Sequence, residues 1–291
     1  MSLIRGLAAA WLVVPAVLAS TTQSVAPGGT HMLATQRSWL IGETQLASLK
    51  QMDPVTAAKF RDRANGYVTG QPPAGWPTRQ VRHYQSYRVF HHNSTPRPWV
   101  LYDPEKWPGT PRAEQHHPDY YMRLFVRLAH RRGKRVILAP ALDLVRVSTA
   151  ACHRKPGEAT SHAYLRCRYA AAAAKSGADV YEIQAQTLQA PGASVYGAFV
   201  RAAAAQARAT RPGQVIWAGL TTDRRDSAAM IYRCYRAVKG YVGGWWMNTS
   251  PSTLAAADTF LSMIAGGPAP LARQPHRMPA SGAGTGGLLL W

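Results

Sequence analysis

Residues 179–186 read DVYEIQAQ, and as a β-strand they divide into two unlike faces. Side chains alternate along a strand, so Glu182, Gln184 and Gln186 fall on one side and Tyr181, Ile183 and Ala185 on the other. A carboxylate inside a strand is costly unless it is paired or faces a wet lumen. The polar side therefore implies a water-containing interior rather than a dry core, and this bears on which α/β fold the chain adopts.

The neighbouring segments repeat the pattern. Apolar runs at 99–102 (WVLY), 135–142 (RVILAPAL), 180–185, 214–220 (QVIWAGL) and 241–247 (YVGGWWM) are each followed by a stretch of helical spacing, at 117–132, 158–176, 192–210, 225–238 and 252–265. Strand and helix in alternation imply right-handed βαβ units and a parallel sheet. Two architectures satisfy this: a TIM-like (β/α) barrel and an open doubly wound parallel sheet. No strand is followed by GxGxxG or GxxxxGK, the phosphate loops of open sheets. Polar residues at the end of one strand after another favour the barrel, whose chemistry sits at the C-terminal strand ends.

Upstream, Leu46, Leu49, Met52, Ala57 and Phe60 predict helix between Glu43 and Ala64, and QPPAGWPTRQ (71–80) reads as a loop. Tyr84, Tyr87 and His91 fall at helical spacing, which predicts a short helix within 81–93. With a further strand around Met32 to Ala34 the count reaches six, so an incomplete or irregular barrel is expected.

The 291 residues are 46% hydrophobic and 16% charged, a globular composition. The first nineteen, with Arg5, an apolar run from Gly6 to Ala19 and a small-residue site at Val17 and Ala19, predict an export signal peptide. A linker follows at 20–30, then a barrel-like domain over 31–265 and a disordered Gly/Pro-rich tail over 266–291. Beyond the signal no stretch suits a membrane span, so a secreted, extracellular protein is expected. Disulfides persist in such a compartment, which favours pairing Cys152 with Cys167 across a loop and leaves Cys234 as a buried free thiol. No metal-ligand spacing appears, and the pairs His91-His92 and His116-His117 read as surface or cap residues. No metal or cofactor is expected.

The net charge is +20, from 34 basic and 14 acidic residues, and only seven of the basic ones are lysine. Such a charge attracts polyanions. Arginine is spread along the whole chain with abundant Ala, Gly and Pro, as coding bias in a GC-rich genome also produces, and no nucleic-acid-binding motif is present. Nucleic acid is therefore a poor candidate partner, while an anionic cell-wall polymer stays open.

Acidic residues are scarce, yet Asp103, Glu105, Asp143 and Glu182 fall at or near three successive strand ends. Paired carboxylates in a cleft are the machinery of glycoside hydrolysis: one protonates the leaving oxygen while the other attacks the sugar or activates water. Glu182 is the expected general acid/base and Asp103 or Asp143 the second carboxylate. Glu105, Gln184, Gln186, Trp107, Trp217, Trp246 and Asn248 are the expected binding residues for a polysaccharide or other polar ligand, the tryptophans by stacking on sugar rings. The alternative is a non-catalytic exported binding protein for a glycan or cell-wall polymer. For Asp103 and Asp143 the structural counterpart is helix capping, for Glu182 pairing with an arginine, and for the tryptophans core packing.

Over residues 80–265 the chain resembles a set of secreted actinobacterial proteins with a glycosidase-like (β/α) barrel, through YDPE (102–105), APALDL (139–144) and EIQAQ (182–186). The resemblance implies fold and compartment. The DxxDxDxE strand of chitinase-type enzymes and an Asn-Glu pair at a strand end are both absent.

Overall fold

The computed structural model describes residues 37–149, 152–223 and 226–265. The signal peptide, the linker, the strand expected at 32–34 and the tail all lie outside these residues. Eight parallel strands close into a barrel in sequence order, β1 to β8, with β1 also paired to β8. The open sheet is thereby excluded, and the expected incompleteness is corrected: the ring is whole.

The elements run β1 (Ser38–Gly42), α1 (Glu43–Met52), α2 (Pro54–Ala57), β2 (Gly66–Thr69), β3 (Arg79–Tyr84), α3 (Tyr87–His92) and β4 (Trp99–Tyr102). They continue with α4 (Arg112–His116), α5 (Pro118–Arg131), β5 (Arg135–Leu138), α6 (Thr160–Arg166), α7 (Tyr169–Lys175) and β6 (Val180–Ile183). The last are α8 (Ala193–Thr210), β7 (Val215–Thr221), α9 (Ala228–Val238), β8 (Gly244–Asn248) and α10 (Leu254–Ile264).

Local chemistry sets the boundaries. Asp53 caps α2, its Oδ1 accepting from the N–H groups of Val55 at 2.9 Å and Thr56 at 3.1 Å, with Pro54 in the first turn. Ser86 and Ser227 cap α3 and α9 in the same way. The single helix expected over 158–176 is two, because Arg168 adopts a left-handed backbone (φ 58°) between α6 and α7. The Cys152–Cys167 disulfide ties the end of α6 back to the loop after β5, and Cys234 is a buried free thiol whose pKa burial pushes up to about 12. The expected helix over 81–93 is half strand: β3 ends at Tyr84 and α3 begins at Tyr87.

Alternation along each strand separates two apolar clusters. Outward residues such as Val100, Tyr102, Tyr181, Ile183, Ala218 and Trp245 pack beneath the helices. Inward residues Leu40, Tyr67, Val81, Trp99, Leu101, Ile137, Ala139, Val180 and Trp217 fill the lumen. Tyr67 meets Trp99 edge-on at 5.2 Å and Trp217 at 4.8 Å between ring centroids, contacts worth about 0.5–1.5 kcal/mol each beyond the area they bury. Gly244 makes room for this layer, since a Cβ there would stand 2.4 Å from the Trp217 ring. The lumen is thus plugged by aromatic rings, with one mouth at the C-terminal strand ends and another at the N-terminal ends.

Candidate functional site: an acidic cleft at the C-terminal mouth

The C-terminal mouth opens into a cleft of about 1010 Å³. Each strand contributes its last inward residue or the loop that follows. Asp103 and Glu105 come from the end of β4, Asp143 from a 3-10 turn after β5, Gln184 and Gln186 from the end of β6, and Trp246 and Asn248 from β8. His83 of β3, Thr69 of β2, Thr221 of β7, Asp223 and Arg146 complete the wall. No lysine lines it. Among the described residues no group of three or more His, Cys, Asp or Glu side chains is arranged to hold a metal ion.

Asp103 is 3% exposed and held from two sides. His83 Nε2 lies 3.0 Å from its Oδ2, and the Gln184 amide donates to its Oδ1. Gln184 Nε2 also donates to the Ala139 carbonyl at 2.8 Å. The β5–β6 ladder has only two paired positions, Ile137 with Val180 and Leu138 with Tyr181, so the side chain takes a carbonyl just beyond its end. Burial raises the Asp103 pKa, and the hydrogen bonds from His83 and Gln184 oppose that rise by favouring the ionised form. His83 sits edge-on to Trp246, 6.0 Å between centroids.

Glu105 is pinned through its backbone: its N–H donates to Thr110 Oγ1 at 3.1 Å, and that hydroxyl donates to the Gln85 carbonyl at 2.9 Å. Burial first, then the nearby charges of Asp103 and Asp143, push its pKa up to about 7. Asp143 caps no helix; its Oδ1 accepts from the Lys106 N–H at 3.1 Å, which ties the β4 loop to the β5 loop. Two carboxylates with two hydrogen-bonded environments and a third poised near neutrality can hold and transfer a proton within one cleft.

Other expected site residues fall elsewhere. Glu182 faces the lumen but is 0% exposed and does not line the cleft; it lies one inward step below Gln184. Neither of its oxygens has a hydrogen-bond partner among the described residues, and burial, followed by repulsion from Asp103 and Glu105, drives its pKa well above the carboxylate range. Among the described residues no arginine pairs with it, and under the floor burial favours its protonated form. Trp217 belongs to the lumen packing and presents no face to the cleft. Trp107 is 39% exposed on the β4 loop outside the cleft, with its ring folded over Gly109. His91, His92, His116 and His117 are exposed.

His83, Thr69 and Arg146 were not anticipated. The signal for His83 is the alternation Arg79, Val81, His83, which requires β3 to be read as a strand. Glu114 was not singled out either, and it is structural: it accepts from Ser86 Oγ (2.9 Å), Tyr87 N (2.6 Å), Arg88 N (3.0 Å) and Tyr102 OH (2.8 Å), which closes the start of α3.

No family model matches the chain, and no curated protein matches it. Among solved structures it is similar to an archaeal fructose 1,6-bisphosphate aldolase, at 10% identity and TM-score 0.41 over 80% of this chain and 95% of that one. It is also similar to the apo form of a protein of Toxoplasma gondii proposed to be a deoxyribose-phosphate aldolase, at 12% identity and TM-score 0.35 over 80% of this chain and 73% of the other. At such identities the likeness concerns the eight-stranded barrel, and the chemistry of the cleft has to be argued from its own residues.

Proposed function

We propose that the protein is a carbohydrate-active hydrolase of glycosidase type that works outside the cytoplasm on a polysaccharide. The observation that carries this reading is Glu105, a carboxyl group with a pKa of about 7 in an open cleft beside Asp103 and Asp143. At neutral pH such a group is half protonated, which suits a general acid for a leaving glycosidic oxygen. Asp103, oriented by His83 and Gln184, is the partner carboxylate that attacks the sugar or activates water. Trp246 lines the cleft wall, and an indole there suits a sugar ring. The acid/base role expected of Glu182 passes to Glu105, because a group with no exposure touches no substrate. The Cys152–Cys167 disulfide supports an oxidising compartment.

A second reading, a glycan-binding protein without turnover, is favoured by Gln186 and Asn248. Both amides line the cleft, and neither side chain is hydrogen-bonded among the described residues, so both are open to a ligand.

A screen of polysaccharides and chromogenic glycosides with the wild type, Glu105→Gln and Glu182→Gln separates the readings. Turnover abolished by Glu105→Gln and retained by Glu182→Gln supports the hydrolase. Binding by calorimetry without turnover in any of the three supports the second reading, and turnover that survives Glu105→Gln overturns the assignment of the acid.

A further inference from the structure

The N-terminal mouth, opposite the cleft, holds a second cavity of about 540 Å³ whose wall includes Arg63, Arg79, Arg97, Arg135 and Trp99. These arginines converge through strand register: Tyr67 is paired with Arg79, Val81 with Trp99, and Trp99 with Arg135. The guanidinium groups of Arg79 and Arg135 lie over one indole, 5.9 and 5.6 Å from the Trp99 ring, and Arg79 also lies 5.1 Å from the Tyr67 ring and donates to its hydroxyl. Arg97 donates to the Val81 carbonyl at 3.1 Å. Among the described residues none of the four forms a salt bridge. Two acids beside these arginines are already engaged: Asp62, next to Arg63 in the chain, accepts from Ala64 N and Asn65 Nδ2, and Asp179 accepts from Val136 N, next to Arg135, and contacts His130.

We propose that this mouth is an anion-binding site for phosphate groups, separate from the cleft. Guanidinium forks match tetrahedral oxyanions bidentately, and a guanidinium cannot relieve its repulsion by losing a proton. Two such groups over one ring, with no carboxylate paired to either among the described residues, therefore leave their outward N–H donors to a multiply charged ligand. The ring faces keep the two groups in place before the ligand arrives, which lowers the ordering cost of binding. Phosphates free in solution and phosphates carried along a polymer present the same chemistry, and chain length tells them apart.

Calorimetric titration of the full chain with sodium tripolyphosphate at low ionic strength is the test. Saturable binding is expected, weakened about tenfold or more by the pair Arg63→Gln/Arg135→Gln, both exposed residues. The pair Arg88→Gln/Arg233→Gln removes the same charge from exposed positions on α3 and α9 and is expected to change affinity less than about twofold. Glu105→Gln should leave the affinity unchanged. Absence of saturable binding, or equal weakening by both arginine pairs, overturns the proposal in favour of diffuse attraction to the net charge. Should the variant pair fold poorly, phenylglyoxal modification of wild-type Arg135, read by peptide mass, gives an independent answer: protection by tripolyphosphate supports the site and full reactivity in its presence sinks it. Inorganic phosphate binding as tightly as tripolyphosphate assigns a single free group; affinity that rises with polyphosphate length assigns a polymer-borne row. Either result is independent of whether the cleft hydrolyses glycosides.

Discussion

The two mouths of the barrel gather charges of opposite sign and handle like-charge repulsion in different ways. At the C-terminal mouth Asp103, Glu105 and Asp143 crowd together, and burial and crowding favour protonation, with Glu105 moved up to about 7 and Glu182 below it shifted well above the carboxylate range. At the N-terminal mouth Arg63, Arg79, Arg97 and Arg135 crowd together, and arginine has no accessible neutral form. Relief there must come from aromatic faces, a counter-ion or solvent. The difference teaches that an acidic site in a barrel stores a transferable proton, whereas a basic one stores only an affinity. Between the two stands the ring layer of Tyr67, Trp99 and Trp217, which keeps the lumen from joining them.

The largest expected effect is on the acidic mouth. If Glu105 is the proton donor, turnover requires its protonated form, so the rate should fall about tenfold per pH unit above its pKa of about 7. Glu105→Gln should lose about 10²–10⁴-fold in kcat and lose that alkaline limb as well. A pH–rate profile of both proteins on any substrate found in the screen checks this. An alkaline limb that persists in the variant assigns the proton to a different group.

Next comes the divider. A methyl group at residue 244 would stand 2.4 Å from the Trp217 ring, which is itself wedged against Tyr67. Gly244→Ala is expected to destabilise the protein by about 3 kcal/mol, at the upper end of overpacking effects, measured by urea unfolding. A loss below about 0.5 kcal/mol would mean the layer is loose and the mouths are less insulated than the packing implies.

How much of this contrast the sequence carries depends on how local its signals are. WVLY at 99–102 was expected as a strand and is β4, because four buried apolar residues between polar flanks suffice. β2 (GYVT) is too short to show a period, and β3 (RQVRHY) puts arginine and histidine on its inward face, so neither reads as a barrel strand and the ring seemed short. Asp103, Asp143 and Gln184 were legible because scarce polar residues at strand ends stand out; His83 went unseen with its strand. Glu182 was placed on the correct face but at the wrong depth, since alternation gives direction and not height in the lumen. The arginine mouth was invisible for a different reason: Arg79, Trp99 and Arg135 meet only through the register of three strands.

A smaller effect concerns Glu182. Glu114, 2% exposed, has four donors around its carboxylate, whereas Glu182, 0% exposed, has none among the described residues. Removing an unsatisfied buried carboxyl should help, so Glu182→Leu is expected to stabilise the fold by about 1–2 kcal/mol. The sign with pH follows from linkage. The folded pKa lies above the unfolded value of 4.5, so the folded state holds the proton that the unfolded state has released once the pH exceeds that value. Wild-type stability therefore declines as pH rises from about 4.5, and the advantage of the leucine variant grows from pH 4 to pH 8 in parallel urea titrations. An advantage that is flat with pH would show that Glu182 ionises freely in the folded state.

The smallest effect tests whether the basic mouth is unrelieved. Removing Arg135, whose guanidinium lies over the Trp99 ring as that of Arg79 does, takes away one of two like charges that form no salt bridge among the described residues. With no phosphate present, Arg135→Gln should raise stability at 10 mM salt by about 0.2–0.5 kcal/mol, the scale of exposed charge interactions. The gain should vanish near 1 M sodium chloride, where the screening length falls to about 3 Å. Unlike that of Glu182→Leu, the effect of this change should be the same at pH 5 and pH 8. With tripolyphosphate present the sign should reverse, since the wild type then gains the binding free energy that the variant lacks. Reversal on adding the anion would establish that the arginines are held apart from carboxylates for a ligand's sake. A loss of stability at every salt concentration would mean that the stacking of Arg135 on Trp99 outweighs its repulsion from Arg79, and that this mouth is relieved by its own rings.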